Sequence, residues 1–244
     1  KYQGKGKYSW PSGGTYEGDF VNGNFHGKGK RTWADGDVYI GDFVNDKRTG
    51  KGKYIFASGN IYEGDFVNDK RTGKGKFTWT SGVTYEGDYL DGKAQGKGRY
   101  TWPSDGYYEG DFEGGDFHGK GKRVWTDGTI YEGDYVRDNR TGKGKYTWPS
   151  GNVYEGDFID NARTGKGRLT WTSGEWYEGD FVNGDRTGKG KYFWTNGAEY
   201  VGDFDNGKLT GRGVYTWSVT GNGKVEMYSK KGEWKESKHD GHGT

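Results

Sequence analysis

Few side chains in this 244-residue chain are suited to bond-making chemistry. Its four histidines, His26, His118, His239 and His242, are the residues whose ordinary pKa suits proton transfer near neutrality. A metal centre or a proton relay needs two or three such groups within a few ångströms of one another. His26 and His118 occupy equivalent places in a repeating pattern, four repeats apart. At two strands per repeat and roughly 4.8 Å per strand, that is about 40 Å, too far to share a metal or a proton within one chain. His239 and His242 flank Asp240, a weak spacing for metal ligation. The absence of cysteine removes disulfides, thiolate nucleophiles and cysteine-ligated metals. Pairs such as Gly27/Gly29 and Gly142/Gly144 suggest phosphate-cradling loops, but such loops run into a helix N-terminus. Here they lie within strand-like runs, and no segment carries helical periodicity. Serines and carboxylates fall at turn or solvent-facing positions, so no Ser/His/Asp set can be assembled. The expectation is a protein that is not an enzyme, with no metal and no cofactor.

Two other residue sets have types and spacing suited to recognition. The first is an aromatic series at 23-residue intervals: Trp33, Phe56, Trp79, Trp102, Trp125, Trp148, Trp171, Trp194 and Trp217. Its plain reading is core. Its sharper reading is a partly open groove for a helix, an extended peptide or a glycan ring, because aromatic anchors are favoured at binding hot spots. The second series is Arg48, Arg71, Arg140, Arg163 and Arg186. It reads as solvated loop charge, partly neutralised by Asp46, Asp69, Asp138 and Asp185, or as a basic rim for an anionic headgroup or acidic peptide.

What must position these residues is a repeat. Tyr16, Tyr39, Tyr62, Tyr85, Tyr108, Tyr131, Tyr154, Tyr177 and Tyr200 recur every 23 residues, each followed two positions later by glycine and then by aspartate. Within a unit the period is two. Tyr62, Gly64 and Phe66 point to one face and Glu63 and Asp65 to the other; Gly73, Gly75, Phe77 and Trp79 lie opposite Lys74, Lys76 and Thr78. Thr80-Ser81-Gly82-Val83 carries a tight-turn signal, and Val67 to Thr72 reads as a longer polar loop. Glycines among rings imply that a ring lies flat on the neighbouring backbone. The opposite face sets Glu/Asp beside Lys/Lys, giving cross-strand pairs worth roughly 0.2–1 kcal/mol each. The fold class is therefore all-β, an elongated single-layer antiparallel β-hairpin repeat array. It covers residues 1–221, opening with a half repeat at 1–13. Residues 222–244, where Gly232-Glu233-Trp234 arrives out of phase, read as a degenerate terminal repeat that caps the array.

Composition agrees. The net charge of +2 leaves no global field to draw in nucleic acid, and aromatics, at 18%, supply the apolar area that the scarce aliphatics do not. No apolar run approaches a transmembrane span, and no signal-peptide pattern opens the chain. The lack of cysteine fits a cytoplasmic protein and equally a disulfide-free exported one.

The run Tyr16-Glu17-Gly18-Asp19-Phe20, followed by Gly23 and His26-Gly27-Lys28-Gly29, resembles the MORN (membrane occupation and recognition nexus) repeat nearly residue for residue. Departures are local: Ile40 and Val201 replace an acidic residue, and the His before Gly-x-Gly survives only at His26 and His118. The resemblance implies a platform for protein interaction or dimerisation. Membrane or phosphoinositide binding is often proposed for the family and does not follow from the repeat itself. Three functions stand open: a protein-binding or self-associating scaffold, an anionic-phospholipid module using the arginine rim, and a glycan-binding surface repeat.

Overall fold

The computed structural model describes residues 1–221 and 224–239, and no helix occurs among them. The chain divides into two units, Lys1–Arg123 and Val124–Thr244. The first is built from β1 (Gly4–Ser9), β2 (Thr15–Val21), β3 (Asn24–Thr32), β4 (Val38–Val44), β5 (Lys47–Ile55), β6 (Ile61–Val67), β7 (Lys70–Thr78), β8 (Thr84–Leu90), β9 (Lys93–Trp102) and β10 (Gly106–Glu113), with β11 (Asp116–Val124) reaching its boundary. The second holds β12 (Ile130–Val136), β13 (Asn139–Thr147), β14 (Val153–Ile159), β15 (Ala162–Thr170), β16 (Trp176–Val182), β17 (Asp185–Phe193), β18 (Glu199–Asp205), β19 (Lys208–Gly221), β20 (Lys224–Lys235) and β21 (Lys238–His239). From β1 through β10 each strand pairs antiparallel with the next. The same holds from β12 through β21. The chain is an all-β array of hairpins, as its period of two required.

The repeat beginning at Tyr62 shows why. Tyr62 and Phe66 are 0% and 2% exposed, while Glu63 between them faces solvent. The Tyr62 ring lies flat on two glycines. A Cβ added to Gly75 would sit 2.3 Å from the Tyr62 hydroxyl oxygen and 2.6 Å from its ring carbons; one on Gly64 would sit 2.5 Å from the Gly75 Cα. Glycine is thus demanded by the close approach of ring to backbone. Phe66 and Tyr89 meet the Tyr62 ring edge-on, at 5.2 and 5.1 Å between centroids, the geometry aromatic quadrupoles favour.

A bulge completes each unit. Gly64 faces Gly75, but Phe66 faces Arg71, so the ladder slips around Asp65 and Gly73 takes a positive φ of 95°. Backbone groups at such a slip need other partners. The Tyr62 hydroxyl donates to the Asp65 carbonyl at 3.0 Å, and the Asp65 carboxylate accepts the Lys74 N–H at 2.9 Å. Tyr177 and Asp180 do the same, at 3.0 Å in each case, the latter accepting from Lys189. The Tyr-x-Gly-Asp run is therefore a self-contained bulge fastening.

The turn assignment from sequence is reversed. The tight turn is Asn68-Asp69, with φ of 47° and 71° and Val67 paired to Lys70, the two-residue form with both central residues left-handed. Lys70, Arg71 and Thr72 belong to strand β7. The Ser81-Gly82 signal sits instead in a five-residue connection closed by the Trp79 N–H donating to the Val83 carbonyl at 2.9 Å. Asn and Asp tolerate the left-handed region, so a polar pair that reads as loop makes the sharper reversal.

Past Gly221 the 23-residue phase breaks. β19 and β20 form one long hairpin from Gly211↔Trp234 to Gly221↔Lys224. Trp234 docks 5.3 Å from the Tyr200 ring and donates its indole N–H to the Gly213 carbonyl at 3.4 Å. Asp240, His242 and the Gly241–Gly243 run lie outside the described residues, as does the His239 side chain.

Candidate functional site

Both recognition series lie on the ring-bearing face, which carries two rows of different burial. The inner row, Tyr62 and Phe66 with their equivalents, is closed: its nine tyrosines are 2% exposed or less. Burial and, after it, the adjoining aspartate carboxylates push the hydroxyls of Tyr16 and Tyr154 up to about 12. The outer row consists of Trp33, Phe56, Trp79, Trp102, Trp125, Trp148, Trp171, Trp194 and Trp217, and every member is half-buried. Most members stand at the last residue of a strand or just past it, where a connection begins, while Trp217 lies within β19 opposite Tyr228.

The outer row is braced by rings the sequence reading did not single out. In the first unit the contacts run Tyr54–Phe56 (4.6 Å), Phe56–Phe77 (5.6 Å), Phe77–Trp79 (4.4 Å), Trp79–Tyr100 (5.4 Å) and Tyr100–Trp102 (4.5 Å). In the second they run Trp171–Tyr192 (5.4 Å), Tyr192–Trp194 (4.5 Å) and Trp194–Tyr215 (5.3 Å). The signal was available: the bracing residue stands two before the tryptophan, on the same face by strand period.

The arginines occupy the second position of each return strand and lie between the two rows. Arg48 sits over Tyr39, Tyr54, Phe66 and Trp33, at 5.2–5.8 Å from guanidinium carbon to ring centroid. Arg71 covers Tyr62, Phe77 and Tyr89, and Arg140, Arg163 and Arg186 repeat the arrangement. Their N–H groups reach the next hairpin's tight turn. Arg71 donates to the Gly92 carbonyl at 2.8 Å, Arg186 to that of Gly207 at 2.9 Å, Arg48 to Asp69 and Arg140 to Asn161. Cation–π contact and a charge-assisted hydrogen bond make Arg48, Arg71, Arg140 and Arg186 rivets between consecutive hairpins, and Arg163 keeps the ring contacts. Two units trade places: Phe25 and Phe117 hold the arginine position and stack on Tyr16 and Tyr108 at 3.8 Å, and the guanidinium moves six residues on, to Arg31 and Arg123.

The opposite face is a ladder of opposite charges. Lys51 meets Asp65 at 2.7 Å, Lys74 meets Asp88 at 2.7 Å, Lys143 meets Asp157 at 2.6 Å and Lys166 meets Asp180 at 2.6 Å. The Lys143 ammonium holds the Asp157 carboxyl below its usual range, and Lys189 does so for Asp203. Each aspartate thus serves twice, pairing with the preceding hairpin's lysine and capping its own hairpin's bulge. The histidines stay apart: His118 stands 3.2 Å from the Glu113 carboxylate, and His26 is half-buried. Among the described residues no three His, Asp or Glu side chains gather as a metal site, and no helix is long and apolar enough to cross a membrane.

Comparison with known proteins adds a family. The MORN repeat matches residues 1–15, 16–38, 39–61, 62–84, 85–107, 108–130, 131–153, 154–176, 177–199, 200–219 and 231–244. No curated protein sequence matches. Among solved structures, the SAS-4 (dCPAP) TCP domain in complex with a proline-rich motif of Ana2 (dSTIL) of Drosophila melanogaster is 11% identical. That match covers 92% of this chain and 88% of the other, with a TM-score of 0.27. A streptogramin B lyase is 12% identical over 92% and 82%, with a TM-score of 0.16. At such scores neither bears on architecture or function.

Proposed function

We propose that this chain, which belongs to the MORN repeat family, is a non-enzymatic protein-interaction scaffold whose contact surface is the half-buried aromatic row. MORN repeats are generally protein or membrane interaction modules, and the family is a non-enzymatic one. The observation that carries the choice is the difference between the two ring rows. The closed Tyr/Phe row supplies the core, so the Trp row is free to serve as a set of rigid anchors with one edge in water, the kind of group enriched at interface hot spots.

The electrostatics support the same reading. A phospholipid surface is recognised by cations that project into water. Here Arg71 and Arg186 lie across rings with N–H groups turned to backbone carbonyls, and on the far face Lys51 and Lys143 are paired to Asp65 and Asp157. The long β19–β20 hairpin, with Trp234 closing over Tyr200, fits a terminal cap that stops further stacking.

Light scattering coupled to size exclusion, with and without anionic vesicles at low and moderate salt, tests this. The expected result is a defined particle whose elution vesicles leave unchanged. Vesicle capture that vanishes as salt rises would instead assign the arginines to lipid.

A further inference from the structure

One position breaks the rivet pattern inside the first unit. Where the two preceding repeats carry Arg48 and Arg71, and the repeats of Phe25 and Phe117 carry phenylalanine, β9 carries Ala94. The rings that a guanidinium would cover are all retained. Arg71 lies 5.5 Å from Tyr62, 5.5 Å from Phe77 and 5.7 Å from Tyr89. One repeat on, the counterparts are Tyr85, Tyr100 and Phe112, and the counterpart of the Gly92 carbonyl that accepts from Arg71 is that of Gly115. These residues, with Trp79 and Ala94, line a groove of about 390 Å³. In place of a side chain there is a notch, shaped by the repeat for a guanidinium and open on the face that bears the aromatic row.

We propose that the Ala94 notch is a recognition pocket for an arginine side chain of a partner polypeptide. The occupant would lie on the Tyr85, Tyr100 and Phe112 rings and donate to the Gly115 carbonyl, as the chain's own arginines do one repeat away. The two cations that also line the groove, Arg71 and Lys93, do not bar another, since Lys47 and Lys70 stand in the same way beside Arg48 and Arg71. Arg140, Arg163 and Arg186 stand in consecutive units, so the fold already accepts guanidinium groups at one-repeat spacing. A planar fork that both stacks and donates selects arginine over lysine. The inference rests on the scaffold reading and names the side chain its partner must offer.

The test is a titration of the ¹⁵N-labelled full chain with an acetylated, amidated Gly-Gly-Arg-Gly-Gly peptide, reading the indole N–H signals. The Trp79 signal should shift saturably while that of Trp194 stays put. Citrulline, the same shape without charge, should bind about tenfold more weakly, since it loses the cation–π contact. Ala94→Arg should restore the internal rivet, abolish peptide binding and raise the melting temperature; Ala94→Phe, which copies the arrangement at Phe25, should abolish binding likewise. No saturable shift, equal binding of arginine and citrulline, or undiminished binding by either filled variant would overturn the proposal. These outcomes are separable from vesicle capture, which would overturn the scaffold reading itself.

Discussion

Gly75→Val is expected to be the most damaging single substitution in the first unit, costing about 3 kcal/mol or more. The side chain would enter space held by the Tyr62 ring, 2.3–2.6 Å from the position of its first carbon. That ring cannot yield, because Phe66 and Tyr89 press on it edge-on and its hydroxyl is bound to the Asp65 carbonyl. Displacing it would also take the donor from the part-buried bulge carbonyl, a further loss of about 1 kcal/mol. The control is Lys76→Val one residue on, which faces solvent and pairs with Glu86 at only 3.9 Å, where a change within about 0.5 kcal/mol is expected. Because repeats are coupled chiefly to their neighbours, amide exchange should rise first in β6 to β8 and less in hairpins further along. Equal melting of the two variants would mean that the ring does not rest on the glycine.

The second large effect is alkaline unfolding. Burial, the first cause in each case, pushes the hydroxyls of Tyr16, Tyr62, Tyr131, Tyr154 and Tyr200 up to about 12, and those of Tyr39, Tyr85 and Tyr177 upward as well. An acid whose folded pKa is raised contributes stability that is fully present below its unfolded value of about 10. That stability is lost as pH climbs from there through the folded value. A rise from about 10 to about 12 corresponds to about 2–3 kcal/mol for a tyrosine, so a few such losses rival the stability of a typical domain. Tyrosinate absorbance and far-ultraviolet circular dichroism, followed from neutral pH upward, should therefore change together in one steep step. Smooth ionisation with the strand signal intact would place the tyrosines in solvent.

Much of this architecture was legible because repetition makes small signals additive. The period of two around Tyr62, Gly64 and Phe66 placed rings and glycines on one face, and the ring resting on glycine followed from glycine inside a strand. The bulge was not legible, since Asp65 reads as a surface carboxylate and its partners, the Lys74 N–H and the Lys51 ammonium, lie on two different strands. The reversed turns share that cause: the left-handed pair Asn68-Asp69 leaves no glycine to announce it. The arginine series was visible as a series, but its meaning lay in the contact Arg71 makes with Gly92, 21 residues away across a hairpin boundary. The Ala94 notch becomes visible only once that contact is known.

The reactivity of the arginines toward phenylglyoxal, read by peptide mass spectrometry on the native chain, tests the central claim most directly. If Arg48, Arg71, Arg140, Arg163 and Arg186 are rivets between hairpins and the aromatic row is the surface left for partners, these five should react several-fold more slowly than the exposed Arg137 and Arg212. Equal rates would put their guanidinium groups in solvent, return the basic rim to contention and contradict the scaffold account.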